Sequence, residues 1–272
     1  MTMLKHHDPD GDAATGRLTT PAGVTLSYDR FGSGAHLVLV HGSFTDHRSN
    51  WQFVADELAR HFTIWALARR GRGETDVIRG HAVEDEAADV VALIRHIDAP
   101  VVLLGHSYGA QVALAAAPEV SSRIEKLVLY EPPVKGIVTD AAMTRLEACA
   151  RDKAWERFTE MFFRDVIAVP AHELEELRGT PLWAQFVADA PYSLHDIHAQ
   201  MRYDFDARDF TAFARPVILQ TGTESPRSLY ATDALLEFLP DAREQDLPGQ
   251  GHDAMLTDPD LYARRVLTAL QA

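Results

Sequence analysis

The stretch that decides the fold runs from Val101 to Gly109 and reads Val-Val-Leu-Leu-Gly-His-Ser-Tyr-Gly. Its four leading apolar residues predict a buried strand, and the alanine-rich segment from Gln111 to Ala117 predicts a helix soon afterwards. The Gly-x-Ser-x-Gly motif therefore lies at a strand-to-helix turn. At such a turn the glycines permit close backbone contacts, and the hydroxyl of Ser107 is exposed as a nucleophile. The alternative is a glycine-rich turn that only packs a helix against a sheet.

Strand-like and helix-like segments alternate on both sides of this turn. Short apolar runs predict strands at 24–28, 36–40, 63–68, 126–130, 216–220 and 243–247. Apolar residues at three- and four-residue spacing predict helices at 51–62, 83–97, 230–239 and 259–270. This alternation predicts an α/β fold with a mostly parallel, doubly wound sheet covered by helices on both faces.

Residues 134–213 interrupt the alternation. The segment has helical character throughout and is rich in tryptophan, phenylalanine and methionine. It is therefore predicted to be an inserted α-helical lid, here called the cap. The core would comprise residues 18–133 and 214–272, preceded by a flexible tail at 1–17.

The composition bounds the classes of function. The formal net charge of −14 over 272 residues disfavours nucleic acid and anionic membrane surfaces as partners. Cys149 is the single cysteine, so an intramolecular disulfide is impossible. No apolar run approaches the length of a membrane span, and the first residues lack the apolar core of a signal peptide. We expect a cytoplasmic protein, and a homodimer stays open.

A serine nucleophile needs a base and oxyanion donors. Among the 13 histidines, position favours His252, which lies in a loop between the last predicted strand and the last helix. The chain order nucleophile, acid, histidine fits this choice. The backbone N–H of Tyr108, next after the serine, is the first expected oxyanion donor. The N–H of Ser43, in the His41-Gly42-Ser43-Phe44 loop after an earlier strand, is the second.

These residues together resemble the α/β-hydrolase family. The resemblance covers about residues 18–271 and rests on four motifs in order: Val-His-Gly at 40–42, Arg-Arg-Gly-Arg-Gly at 69–73, Gly-His-Ser-Tyr-Gly at 105–109 and Gly-His at 251–252. It implies a serine hydrolase without metal or other cofactor. The sequence contains no Cys/His cluster with metal-ligand spacing, which would suggest a metal, and no Gly-x-Gly-x-x-Gly motif after a strand, which would suggest a nucleotide cofactor.

The acid departs from the commonest pattern of that family. Many relatives carry it as aspartate in a Gly-x-x-Asp-Pro turn, whereas this chain has Ser225 at that position. Three explanations stay open: a dead or dyad enzyme, a shift to Glu224, or a relocation to Glu131 at the end of the strand before the cap. We favour Glu131, because Glu131-Pro132-Pro133 resembles the acid position of zearalenone-type lactonases.

The apolar cap suggests a medium-sized hydrophobic ester or lactone as substrate. Candidate substrate-binding residues are Phe44, Met161, Trp183 and Tyr192. The same triad would also serve a carbon–carbon bond hydrolase or an acyltransferase. A catalytically weak ligand-binding homologue is the alternative from another class.

Overall fold

A computed structural model describes residues 14–78 and 80–271, with eight strands and ten α-helices in these ranges. The strands are β1 (Ala14–Thr19), β2 (Thr25–Gly32), β3 (Ala35–Val40), β4 (Phe62–Ala68), β5 (Val101–His106), β6 (Ile124–Tyr130), β7 (Val217–Gly222) and β8 (Ala242–Leu247). They form one sheet in the order β1-β2-β4-β3-β5-β6-β7-β8. The β1–β2 and β2–β4 pairs are antiparallel, and every later pair is parallel. The predicted α/β class with a mostly parallel sheet is therefore confirmed.

The helices that cover the sheet lie on both of its faces. They are α1 (Ala55–Ala59), α2 (Val83–Ile97), α3 (Tyr108–Ala116), α8 (Thr232–Phe238), α9 (Ala254–Thr257) and α10 (Pro259–Gln271). Alternation along β3 shows the two layers, because Val38 belongs to the apolar cluster that includes residues of α2, α3 and α8, whereas Leu37 belongs to the cluster that includes residues of α1, α9 and α10. Burial on both faces explains why the central strands are continuous apolar runs.

The insertion between β6 and β7 contains α4 (Asp140–Arg151), α5 (Trp155–Asp165), α6 (Ala171–Arg178) and α7 (Pro181–Arg202). These helices bury a third apolar cluster, separate from the two layers of the sheet, and Phe158, Phe163 and Phe186 lie within it. In the described part of the chain, no helix combines the length and apolar character needed to cross a membrane.

The first strand differs from the sequence expectation. Residues 14–17, predicted as the end of a flexible tail, belong to β1, which pairs with β2. Residues 1–13 of that predicted tail lie outside the described residues. The strand is polar and largely exposed, so it carries little of the hydrophobic alternation that reveals a strand in sequence.

Candidate active site

Ser107 lies in a sharp turn between β5 and α3, with φ of 55° and ψ of −125°. A φ in this range is strained for a non-glycine residue. A Cβ added to Gly105 would lie 2.5 Å from the carbonyl oxygen of Gly109, and one added to Gly109 would lie 2.3 Å from that of His41. Both glycines of the motif are therefore needed to form the turn that presents the serine.

The residues predicted as nucleophile, base and acid lie in one chain of hydrogen bonds. The Nε2 atom of His252 is 2.8 Å from the Oγ atom of Ser107, and its Nδ1 atom is 2.6 Å from Oε2 of Glu131. A carboxylate only accepts, so Nδ1 carries the proton and Nε2 can accept the proton of the serine hydroxyl. This is the arrangement that activates a serine nucleophile.

The sheet brings these side chains together at the carboxyl ends of neighbouring strands. Ser107 follows β5 and donates its backbone N–H to the carbonyl of Tyr130, while Glu131 follows β6 and donates its own to the carbonyl of Gln220. The carboxylate of Glu131 is fully buried, and its Oε1 atom accepts the N–H of Gly222 at 2.8 Å. Glu131 has φ of 47°, another left-handed conformation for a non-glycine residue.

The usual acid position has no comparable geometry. Ser225 has a buried hydroxyl and no carboxylate that could stabilise an imidazolium. Glu224 is exposed and accepts a hydrogen bond from the hydroxyl of Thr223. Of the two glutamates named from the sequence as candidate acids, Glu131 is the one whose carboxylate contacts His252.

The surroundings of His252 tune its basicity. Burial opposes its protonation, but the hydrogen bond and charge of Glu131 outweigh that effect and raise the pKa of His252 above its ordinary value. The ring of Tyr230 stacks on the imidazole with centroids 5.1 Å apart and an angle of 14°. His106 donates its Nε2–H to the carbonyl of His252 at 2.9 Å. The bond to Glu131 and the stacking of Tyr230 orient the imidazole, and the bond from His106 holds the backbone of His252.

The loop after β3 lies against Ser107. A Cβ added to Gly42 would be 3.2 Å from the Cβ atom of Ser107, so the two backbones approach closely. The N–H of Phe44 is donated to Ser193 of the cap. Across the described residues, no hydrogen bond occupies the N–H of Ser43 or of Tyr108, and both residues line the cavity beside the serine. The two expected oxyanion donors are therefore adjacent to the nucleophile and unoccupied.

A narrow cavity of about 40 Å³ connects Ser107 with the underside of the cap. Its apolar lining comprises Phe44, Pro133, Ile137, Phe162, Phe163, Ile167, Phe186 and Ile197. Its polar lining includes Asp196, Gln200 and Asp253. Pockets for drug-sized molecules usually measure about 300–1,000 Å³, so this cavity is narrow for a medium-sized substrate.

The four residues expected to bind substrate lie in different places. Phe44 lines the cavity, but Met161, Trp183 and Tyr192 are not among its lining residues. Met161 and Trp183 are buried in the core of the cap, where Trp183 packs edge-on against Phe163. Tyr192 is 38% exposed and lies beneath the guanidinium of Arg72, outside the cavity. Aromatic content alone did not distinguish the cap's own core from its substrate-facing surface.

A buried network of charges joins the cap to the Arg-Arg-Gly-Arg-Gly loop. Asp196 of α7 accepts hydrogen bonds from Arg69 at 2.7 Å and from Arg72 at 2.8 Å, and Glu86 of α2 pairs with Arg69 at 2.9 Å. Burial alone would raise the pKa of Asp196, but the two guanidinium groups hold it well below its ordinary value. His81 lies beside both carboxylates, yet guanidinium groups already occupy them, so the cluster is an ion-pair network.

Tyr230 and Gln200 are among the site residues that were not anticipated from sequence. Tyr230 stacks on His252, and Gln200 lines the cavity with its Nε2 atom buried and unpaired within the described residues. Neither belongs to a motif. Tyr230 reaches the site through a bridge between its backbone and that of Pro133, a contact that only the folded chain creates.

Comparison with known proteins supports the assignment of the fold. The N-formylmaleamate deformylase of Pseudomonas putida KT2440 is 32% identical over 117 residues, covering 42% of this chain and 44% of that protein. The chain thus matches less than half the length of this curated relative. The 2-hydroxy-6-oxo-2,4-heptadienoate hydrolase of Pseudomonas putida F1 is 32% identical over 215 residues, covering 63% of this chain and 78% of that protein.

The solved structures agree with these sequence matches. An alpha/beta hydrolase from Sphaerobacter thermophilus superposes with a TM-score of 0.79 at 27% identity, covering 94% of this chain and all of the other. The model of the alpha/beta hydrolase family matches residues 37–265, which include Ser107, Glu131 and His252. The chain therefore belongs to the alpha/beta hydrolase family.

Proposed function

We propose that this protein is a serine hydrolase that cleaves an uncharged carboxylic ester or lactone through an acyl-enzyme on Ser107. The observation that carries the proposal is the hydrogen-bonded chain from Ser107 through His252 to Glu131, with distances of 2.8 and 2.6 Å. This geometry supports acyl transfer because it supplies a nucleophile, a base and a group that orients the base.

Each residue has a defined part in the proposed reaction. His252 takes the proton of Ser107 as the oxygen attacks the substrate carbonyl, and Glu131 stabilises the resulting imidazolium. The N–H groups of Ser43 and Tyr108 bind the oxyanion. The imidazolium then protonates the departing alcohol, leaving the acyl group on Ser107. Water, deprotonated by His252, releases the acid and regenerates the serine.

The lining of the cavity supports an uncharged, mainly apolar acyl group. Aromatic and aliphatic side chains form most of its wall, whereas the charged groups are the carboxylates of Asp196 and Asp253. No lysine or arginine belongs to the described residues that line it. A carboxylate on the substrate would enter this space without a cationic partner, which is unfavourable in a buried site.

A second candidate function follows from the relatives. One is named for N-formylmaleamate and the other for 2-hydroxy-6-oxo-2,4-heptadienoate, and both names describe carboxylates. The 32% identity to each favours a related hydrolysis here, including cleavage of a carbon–carbon bond by the same triad. The absence of lysine and arginine from the described lining residues argues against an anionic substrate of this kind. An acyltransferase would use the same acyl-enzyme, with an alcohol in place of water.

The first test is labelling with a fluorophosphonate, which reacts with an activated serine. We expect rapid modification of the wild type at Ser107, identified by peptide mass spectrometry, and none of the Ser107→Ala variant. A folded wild-type protein that stays unlabelled would favour a ligand-binding role instead. Ser107→Ala removes the nucleophile, so it should lower kcat on esters by about 10³-fold or more. The oxyanion donors and substrate binding would account for the residual rate.

Substrate assays then separate the candidates. We expect p-nitrophenyl acetate, p-nitrophenyl butyrate and a neutral lactone to be hydrolysed with higher kcat/KM than N-formylmaleamate or 2-hydroxy-6-oxo-2,4-heptadienoate. The opposite ranking would indicate that the substrate is anionic and not a neutral ester or lactone. Addition of a primary alcohol should not divert most of the acyl group from water, as it would in an acyltransferase.

A further inference from the structure

Two residues of the cap helix α7 contact the loop that follows β3. The hydroxyl of Ser193 accepts the backbone N–H of Phe44 at 2.6 Å, and the carboxylate of Asp196 accepts the hydroxyl of Ser43 at 2.9 Å. Ser43 supplies one of the N–H groups that we assign to the oxyanion. The cap therefore contacts the backbone that would stabilise the transition state, in addition to lining the cavity.

This loop holds a conformation that its sequence does not favour. Phe44 has φ of 62°, in the left-handed region that bulky residues avoid. Such a conformation persists when surrounding contacts over-determine it. The hydrogen bond to Ser193 is one of these contacts. It occupies the N–H of Phe44, so that of the neighbouring residues Ser43 and Phe44 it is Ser43 whose N–H stays unoccupied.

The ring of Phe44 is held by the cap as well. It packs against Phe162 and Phe163 of α5, with ring centroids 4.7 and 5.3 Å away, and against Phe158 at 6.0 Å. The backbone and the side chain of Phe44 are thus both fixed by cap residues. A loop held in this way keeps its donors in place before the charge develops, which is the condition for efficient oxyanion stabilisation.

The two α7 residues are themselves rigidly held. The Ser193 hydroxyl donates to Asp189 at 2.7 Å, so its lone pair remains directed at the N–H of Phe44. Asp196 is fully buried and is bound by Arg69 and Arg72 of the core. These bonds connect the core, α7 and the oxyanion loop in one hydrogen-bonded unit.

We propose that Ser193 and Asp196 are positioning residues, which hold the Ser43–Phe44 peptide so that the N–H of Ser43 faces the oxyanion formed on Ser107. The inference rests on the proposed serine hydrolase function. It gives α7 a role in positioning the oxyanion donor, in addition to the role of the cap in lining the cavity.

The test uses Ser193→Ala and Ser43→Ala in the full-length protein, because neither removes a charge and Ser43→Ala leaves the backbone donor in place. We expect each to lower kcat for p-nitrophenyl acetate by about 10-fold, with KM within about twofold, since small displacements of catalytic groups have large effects on rate. Affinity for phenylboronic acid, whose adduct with Ser107 is tetrahedral, should fall in the same proportion. Amide hydrogen exchange across residues 42–46 should accelerate.

The matched control is Thr159→Val, which removes another buried hydroxyl of the cap, one bonded to the carbonyl of Trp155 within α5. It should leave kcat and boronate affinity unchanged. Unaltered kcat and boronate affinity in both serine variants would overturn the inference, as would a rise in KM at constant kcat or an equal loss in Thr159→Val. A wild type that reacts with neither fluorophosphonate nor boronate would remove the proposed function itself, and this inference with it.

Discussion

The carboxylate of Glu131 lies between two hydrogen-bond donors, the Nδ1–H of His252 and the backbone N–H of Gly222. Glu131→Gln keeps the size of the side chain but removes the charge that stabilises the imidazolium. We expect kcat on a neutral ester to fall by about 10²- to 10⁴-fold with little change in the unfolding transition. Steady-state kinetics and circular dichroism measure both quantities.

Glu224→Gln is the matched control, since it makes the same chemical change on an exposed side chain. It should keep kcat within about twofold, and so should Ser225→Ala. A larger loss in Glu224→Gln than in Glu131→Gln would return the acid to the turn after β7. Equal activity of all three variants would instead indicate a Ser–His dyad.

The raised pKa of His252 predicts the acidic limb of the pH profile. The base must be neutral, so kcat/KM should rise with pH and level off, with an apparent pKa above the ordinary histidine value of 6.5. Removing the negative charge in Glu131→Gln should move this limb to lower pH, even though the plateau falls. A limb that does not move in Glu131→Gln would show that Glu131 does not set the charge of His252.

At this scale, sequence predicts the residues that belong to motifs. Ser107 follows from Gly-x-Ser-x-Gly, because the turn demands Gly105 and Gly109, and His252 follows from its position between the last strand and the last helix. Glu131 required the resemblance to lactonases, since a single glutamate at a strand end has no distinctive pattern. Tyr230 and Gln200 reach the site through tertiary packing alone, so nothing local identifies them.

Helix α7 connects the cap to the core through buried charge. Asp196→Asn would leave Arg69 and Arg72 with less negative charge to neutralise them in a site shielded from water. We expect the free energy of unfolding to fall by about 3–5 kcal/mol, the usual effect of breaking a buried ion pair. Urea denaturation followed by fluorescence measures the change.

The comparison for this element is Glu119→Gln, which breaks an exposed pair with Arg95. Its effect should be about 1 kcal/mol or less, because solvent screens exposed pairs. Similar losses in Asp196→Asn and Glu119→Gln would mean that the buried network adds little to stability.

Most elements of the sheet were predictable because burial imposes continuous apolar runs on parallel strands. The helix at 83–97 was predicted with the bounds that α2 has in the structure. The helix predicted at 51–62 is shorter, since α1 covers Ala55–Ala59 and the residues before it form turns. Trp51, Val54 and Leu58 are all buried, so the apolar spacing recorded their burial correctly but overstated the length of the helix.

The cap and the core together leave a cavity of about 40 Å³ beside Ser107, and we expect this cavity to limit the size of the proposed acyl group. Ile167→Ala should enlarge this space and raise the kcat/KM ratio of p-nitrophenyl butyrate to p-nitrophenyl acetate by about 10-fold, the effect of one or two methylene groups in an apolar pocket. Competition assays with the two esters measure the ratio directly.

Met161→Ala is the control for the whole-molecule prediction. Met161 is buried in the cap but is not among the residues that line the cavity, so its truncation should lower stability without changing the ratio of the two esters. An unchanged ratio in Ile167→Ala would show that the acyl group does not occupy the space beneath the cap.

The position of Glu131 also has a consequence for how such chains diverge. With the proposed acid directly after β6, the turn at 223–226 would need no catalytic residue. Its sequence could then vary, provided that Gly222 still donates its N–H to the carboxylate of Glu131. Searches that require an aspartate after β7 would then discard homologues of this kind as inactive. A pattern that accepts glutamate before Pro-Pro would recover them.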